Sequence, residues 1–529
     1  MKKTLLFTIV CLLILAFPIF ATGEEDQAQN VEKILQVGQV GGYRSLAVYR
    51  NTIANHLFLE LVYDQLLFNE KGQGYKLEAI TNYTIAESKK NLTFTLRDGL
   101  TTHDGSIENA DLVIEVFKER LASDEFGATP LYNQIGKSIA AINKIDDLTI
   151  SIDFSVPIPH IEVLMALISI SDPDMYVKAD GTKARFNEQE TQIGTGPFKL
   201  VEYVPSSHAY YEKFDDYWDA KNVKLDGVNI TFFGDNAAMV AALEAGEVDY
   251  IFRPSYDDVK RLQNNPNFNT FVPQTNQMAF ILMMSPKEGI TQNPLIREAI
   301  NLAINRNNIA TVVTGGFNSP ISTPALPGSM AYSKANEVPY EGDLVKAKEL
   351  IAKSGVDAAQ EIKITYPSND AQFELICELI ADNMKTVGLN PILDPIENSV
   401  YAQKRVNGEF QLLPSLIAGL NVHPAGLKDS FVFDPTSARL EEFFNPEKVT
   451  EENRALFENY KEVFTKALIT ADQDVAATLF KEALSIIKEG AWVSTLSTVS
   501  NAGIASTRVK NLTWTDQDKP VFTYVDLVD

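Results

Sequence analysis

Five histidines carry most of the acid–base and metal-binding potential of this 529-residue chain: His56, His103, His160, His208 and His423. No two stand four apart, so the helical pair that grips zinc in metalloproteases is missing. Two cysteines, Cys11 and Cys377, are too few for a structural zinc cluster. A G-x-S-x-G nucleophile turn, a phosphate-cradling G-x-x-x-x-G-K loop and a G-x-G-x-x-G fingerprint are also absent. Acidic doublets at Asp146-Asp147, Asp215-Asp216 and Asp257-Asp258 read as solvated faces or turns rather than as paired acid and base. His103-Asp104-Gly105 reads as a turn, with Gly105 supplying backbone freedom. No cofactor, metal or catalytic residue is implied. The pattern favours a binding protein over an enzyme, with a secreted hydrolase built from distant residues as the alternative.

The elements that would position a binding site follow an α/β alternation. Asn293 and Pro294 open a helix that is expected to run to Gly315-Gly316. Asp343 opens a second, closed by Gly355, and a third runs from near Asp370 to Gly388. The third lies between strand-like 362–366 and 389–393, a parallel βαβ unit. Segments 92–96 and 148–152 alternate as strands. A helix over 472–488 is stopped by Gly490, and 53–67 reads as helical. Cys377 sits on an apolar helix face and reads as a buried, inert thiol.

Charge and the N-terminus narrow the class. A net charge of −24 with no basic patch argues against a nucleic-acid partner and favours a soluble monomer. Lys2 and Lys3, the apolar run 5–20 and Ala21-Thr22-Gly23 have the layout of a secretory signal peptide cleaved near Gly23. The run is shorter than the roughly 20 residues of a spanning helix. Cys11 lies mid-run without preceding small residues, which argues against lipidation.

Four blocks then point to one family. They are Gly194-Thr195-Gly196-Pro197-Phe198 with Tyr217-Trp218 and Ala242-Leu243-Glu244-Ala245-Gly246-Glu247-Val248-Asp249; Leu92 to Gly99 with His103-Asp104-Gly105; Arg297-Glu298-Ala299-Ile300 with Ala303-Ile304-Asn305-Arg306; and the segment 343–355. Together they resemble the family 5 extracellular solute-binding proteins of ABC importers, the peptide, nickel and oligosaccharide group. Gly194 and Gly196 are expected to permit a tight turn, and Asn236 to cap the helix that Gly246 ends.

The resemblance implies a two-lobed periplasmic-binding-protein fold (type II, large cluster) with an extra domain inserted in lobe one. Lobe one would combine 31–70, 194–272 and 495–529; the insert would be 71–193; lobe two would be 273–494. It further implies capture of a solute between the lobes and delivery to a membrane permease and its ATPase. Sensing or chaperoning is an alternative use of the same capture.

Ligand identity is less legible. Peptide-binding relatives use a lobe-two Asp within a Trp-rich segment; here 416–433 lacks the Trp and presents Asn421, Val422 and His423, with Asp429 later. His423 is the candidate by which a nickel chelate would be held. Met284 and Ser285 replace an Asn-bearing strand, and Asn51 and Thr52 lie where relatives line the cleft from lobe one. Peptide is the expected ligand on family frequency. Only three Trp lean against sugar, and oligosaccharide and nickel chelate remain alternatives.

Overall fold

The computed structural model describes residues 32–43, 56–122, 135–166, 169–171, 192–418, 420 and 423–528. The signal-peptide segment 1–23 and the candidates Asn51, Thr52 and Asn421 lie outside the described residues.

Two large sheets organise the chain. A seven-stranded sheet has the order Phe268–Phe271, Gly503–Ser506, Tyr250–Phe252, Ile34–Val40, Gly227–Phe233, His208–Lys213, Phe198–Val204. Its central strand Ile34–Val40 runs parallel to both neighbours, Val37 facing Ile230 on one side and Tyr250 on the other. A five-stranded sheet has the order Asn390–Ile396, Glu361–Pro367, Leu412–Ala418, Met278–Met284, Val493–Val499. A four-stranded antiparallel sheet, Ile80–Ile85, Asn91–Leu96, Thr149–Phe154, Ile139–Lys144, stands apart from both.

Met278–Met284 shows why the five-stranded sheet holds. All seven of its residues are buried. Side chains alternate faces along a strand, so Met278, Phe280, Leu282 and Met284 join one apolar cluster and Ala279, Ile281 and Met283 another. The expected βαβ unit is present: Glu361–Pro367 and Asn390–Ile396 pair in parallel around the helix Ala371–Thr386, which Asp370 caps through Gln372 and Phe373 N–H. Cys377, on that helix, is buried and unpaired.

Local expectations fail in four places, each for a physical reason. The helix expected over 293–316 is two helices, Pro294–Ala303 and Arg306–Val313, because Asn305 caps a second start by accepting from Asn308 N–H. The helix in the 53–67 run is described over His56–Val62, and Leu67 already begins a strand. Asp235, not Asn236, caps Asn236–Ala245; the Asn236 amide instead donates to Asp258 at 2.7 Å. Gly490 lies inside the helix Gln473–Gly490, whose left-handed C-cap is Ala491 (φ 47°). A Cβ at Gly490 would sit 2.3 Å from the Trp492 ring, so close approach rather than a turn requires the glycine. The same holds at Gly194, where a Cβ would lie 2.1 Å from the Val62 carbonyl oxygen.

The Tyr217-Trp218 pair packs as core. Trp218 Nε1 and Tyr217 Oη donate to the two oxygens of buried Asp64 at 3.1 and 3.2 Å, and Arg97 stacks 3.9 Å over the Trp218 ring. The arginines of the Arg297 to Arg306 block are structural as well. Arg297 donates to the carbonyls of Gly490, Thr291 and Gln292 and to Asn453 Oδ1. Arg306 donates to the carbonyls of Thr495, Asn301 and Ile304, to Ser494 Oγ and to Asn301 Oδ1. Both are fully buried, and burial lowers each guanidinium to about 9.

Candidate functional site

The chain passes between the two large sheets at 272–277 and again at 500–502. Val493–Val499 straddles the boundary expected at 495 and pairs wholly with Met278–Met284, so the second passage begins after Val499. Gln274 and Asn276, in the first passage, adopt left-handed backbone (φ 50° and 56°), a conformation costing roughly 1–2 kcal/mol outside glycine. The Gln274 amide donates to the Phe317 carbonyl at 2.6 Å.

Tyr256 ties the second passage to both sides. It opens the helix Tyr256–Leu262, donates from Oη to the Ser500 carbonyl at 2.7 Å, and accepts from Asn318 Nδ2 at 2.8 Å. Its ring stacks on Phe317, with centroids 6.0 Å apart.

Beside this bridge lies a pocket of about 410 Å3. One wall comes from elements of the seven-stranded sheet, Asn236, Arg253 and Asp257; the opposite wall comes from Val313, Gln372 and Leu375 on helices packed against the five-stranded sheet. The passage 500–502 closes one end. A pocket built from two separate structural units, with few polar groups on apolar walls, is the usual setting for a small-molecule site.

Arg253 is the conspicuous group. It follows the strand Tyr250–Phe252, takes left-handed backbone (φ 59°), and its N–H bonds to the Ala502 carbonyl at 2.8 Å. Its side chain lines the pocket, where burial by the surrounding walls lowers the guanidinium and Tyr256 and Asp370 oppose that shift without bonding to it. The N-termini of Asn236–Ala245 and Ala371–Thr386 also reach the pocket, but Asp235 and Asp370 already cap them. Among the described residues that line the pocket, Arg253 is therefore the cation left to meet a ligand, with Asp257 offering the opposite sign. Among the described residues no three His, Cys, Asp or Glu side chains converge as a metal site.

The candidates drawn from sequence lie elsewhere. Met284 and Ser285 are fully buried. Met284 is core; Ser285 Oγ bonds the Gly408 carbonyl at 3.3 Å. His423 stacks on His160, with centroids 4.9 Å apart, and caps the 3-10 helix Pro424–Asp429, whose last residue is Asp429. Met284, Ser285 and His423 do not line the pocket; the Asp429 side chain lies outside the described residues. Arg253 was missed because nothing in its local sequence separates it from a surface arginine. The available signal is a charged residue set between a three-residue buried strand and a capped helix.

Residues 75–436 match the family described as bacterial extracellular solute-binding proteins, family 5. The chain belongs to that family. Its members are binding components rather than enzymes. A glutathione-binding protein, GsiB, from Escherichia coli O6:K15:H31 is 27% identical over 332 residues, 62% of each chain. The match therefore spans less than two thirds of that relative's length. Solved structures share the fold. DppA from Helicobacter pylori, in complex with the peptide STSA, superposes with a TM-score of 0.75 at 21% identity, over 94% of this chain and 98% of that one. NikA from Brucella suis, in complex with Fe(III)-EDTA, gives 0.76 at 18% identity, over 93% and 100%. The two-lobed type II architecture expected from sequence is thus the fold of this family 5 member.

Proposed function

We propose that the chain is the extracytoplasmic capture component of an ABC importer, holding a short peptide with a free carboxylate in the pocket between the two large sheets and passing it to a permease with its ATPase. The observation that carries this reading is Arg253, a cation with no ion pair among the described residues that is held in left-handed backbone at the pocket wall. A desolvated carboxylate needs such a partner, and a guanidinium offers a bidentate one. Asp257 suits the ammonium end of the same solute. The names of GsiB and DppA are consistent with a peptide ligand.

In this reading lobe one comprises 31–70, 194–272 and the strands after Val499, the insert is 71–193, and the remainder is lobe two. The passages 272–277 and 500–502 act as the hinge. Met284, Ser285 and His423 support the lobes rather than touch the solute. The chain is exported after cleavage near Gly23, acts as a monomer at the membrane face and binds no nucleic acid. A polycarboxylate metal chelate is the second reading, because Arg253 would serve its carboxylates equally.

Thermal melts of the chain from Glu24 onward test this, against peptides with free or amidated C-termini, oligosaccharides and nickel chelates. A ligand that binds only the folded form raises stability by ~2.7 kcal/mol at one hundred times its Kd. Free-carboxylate peptides are expected to raise Tm and amidated ones to do so much less. Arg253→Met should weaken binding by roughly 10- to 150-fold, the range of a lost charged hydrogen bond of ~1.5–3 kcal/mol. Equal binding of amidated peptides, or an unaffected R253M variant, overturns the carboxylate reading. Shifts with chelates alone would select the second.

A further inference from the structure

Away from the pocket, buried His160 and half-buried His423 meet across the molecule. His160 leads the helix Ile161–Met165, in the segment that follows the four-stranded sheet. His423 stands in the connection that leaves the five-stranded sheet after Leu412–Ala418. One apolar cluster joins the two sides, with Ile158 and Ile161 from the first and Ala425 and Leu427 from the second. The rings stack at 4.9 Å and 27°, and Phe480 closes the far side of His423 edge-on at 5.5 Å.

This contact is built for neutral rings. His160 is 3% exposed, and neither of its ring nitrogens has a hydrogen-bond partner. His423 Nδ1 accepts from Ala425 N–H at 3.2 Å, so the proton of the neutral ring sits on Nε2, which is buried and unpartnered. The charged groups acting on His160 are His423 and Lys428. Lys428 is itself fully buried, and its carboxylate partner Asp434, at 3.2 Å, is already committed to it. Among the described residues a proton on His160 would thus meet a cation and no free anion. A proton on His423 Nδ1 would break the cap that starts the 3-10 helix. Burial, with the neighbouring cations in the case of His160, pushes both imidazoles down, His423 to about 4.

We propose that the His160–His423 stack is a proton-operated latch: the neutral rings hold the two sides of the cleft together, and acidification parts them and favours the open, solute-free form. The latch rests on the reading that solute is captured by closure. An imidazole whose pKa is depressed in the latched form stabilises that form above its ordinary value near 6.5, and the stabilisation is lost as pH falls from there toward about 4. Each ring that titrates in this way lowers the latching equilibrium by roughly tenfold per pH unit within that window.

The experiment is small-angle X-ray scattering of the solute-free chain from Glu24 onward between pH 7.5 and 4.5, on the natural protein and on His160→Phe/His423→Phe. The natural protein is expected to expand as pH falls below about 6.5, and the double variant to keep one radius of gyration throughout. Histidine NMR titration of the natural protein supplies a second readout, with His160 and His423 resisting protonation until well below 6.5, beside His103, which burial also pushes down to about 4; it stands even if the variant fails to fold. A pH-invariant radius in the natural protein, an identical expansion in the double variant, or His160 and His423 titrating near 6.5 would overturn the latch. Failure of every solute to shift Tm at pH 7.5 would instead count against the capture reading, so the two failures are distinguishable.

Discussion

Replacing Tyr256 by Phe removes one hydroxyl and leaves the stack on Phe317 in place. That hydroxyl donates to the Ser500 carbonyl and accepts from Asn318 Nδ2. Ser500 and Asn318 are 3% and 7% exposed, so water does not readily replace the lost partner. A buried group left unsatisfied costs about 1–3 kcal/mol. The Ser500 N–H also donates to this hydroxyl, at 3.3 Å; three such groups, partly relaxed, give an expected loss of about 2–4 kcal/mol. Unfolding entropy near 2.1 cal/mol/K per residue amounts to about 1 kcal/mol/K over roughly 500 residues, so Tm should fall by about 2–4 °C if the chain melts as one unit. The bridge joins the 256 helix to Asn318 across the 500–502 passage, so part of the loss should also appear as weaker solute binding, up to about tenfold for each 1.4 kcal/mol. Differential scanning calorimetry and titration calorimetry on Y256F measure the two. A Tm within 1 °C of the natural protein together with an unchanged Kd would refute the claim that this bridge holds the passage.

Two further substitutions test buried charge. Arg306→Lys keeps a cation but replaces a five-bond fork with at most three donors, so at least two of its five buried hydrogen bonds are lost; a loss of about 2–6 kcal/mol is expected in thermal melts, and a variant as stable as the natural protein would contradict it. Asp64 is raised to about 7, chiefly by burial, with its bonds from Trp218 and Tyr217 opposing. Its folded value lies above its ordinary value of 3.8, so the stability this group contributes falls as pH rises from about 4 to 7. Asp64→Asn removes that dependence. The Tm of the natural protein minus that of D64N should therefore fall from pH 5 to pH 8, and a rise would exclude the assignment.

Helix ends were legible because capping is local. Asp343 with Gly355, Asn293 with Pro294, and Asp370 are all used as the sequence implied. So was the βαβ unit around Ala371–Thr386, whose partners lie within forty residues of one another. The seven-stranded sheet was not legible from pattern alone, since Ile34 pairs with Gly227 and Tyr250 with Ala505. Neighbours that far apart are chosen by tertiary packing, and only the family resemblance anticipated a discontinuous lobe. Met283 and Met284 show the opposite limit: an apolar strand reads the same whether it lines a cleft or fills a core, and here both residues are fully buried.

Three arginines make the remaining point about the site. Arg297 and Arg306 lie in the block that resembles the family most plainly, yet their guanidinium groups already make four and five hydrogen bonds within the chain. A guanidinium has five donors, so little or nothing is left for a ligand, and full burial bars approach. Arg253 belongs to none of the matching blocks. Among the described residues it has no ion-pair partner, its backbone is left-handed, and a pocket lies before it. A scaffold residue is recognisable in sequence because every member needs the same scaffold. A residue that selects the solute must instead keep its bonding capacity unspent, and that is a property of its three-dimensional surroundings.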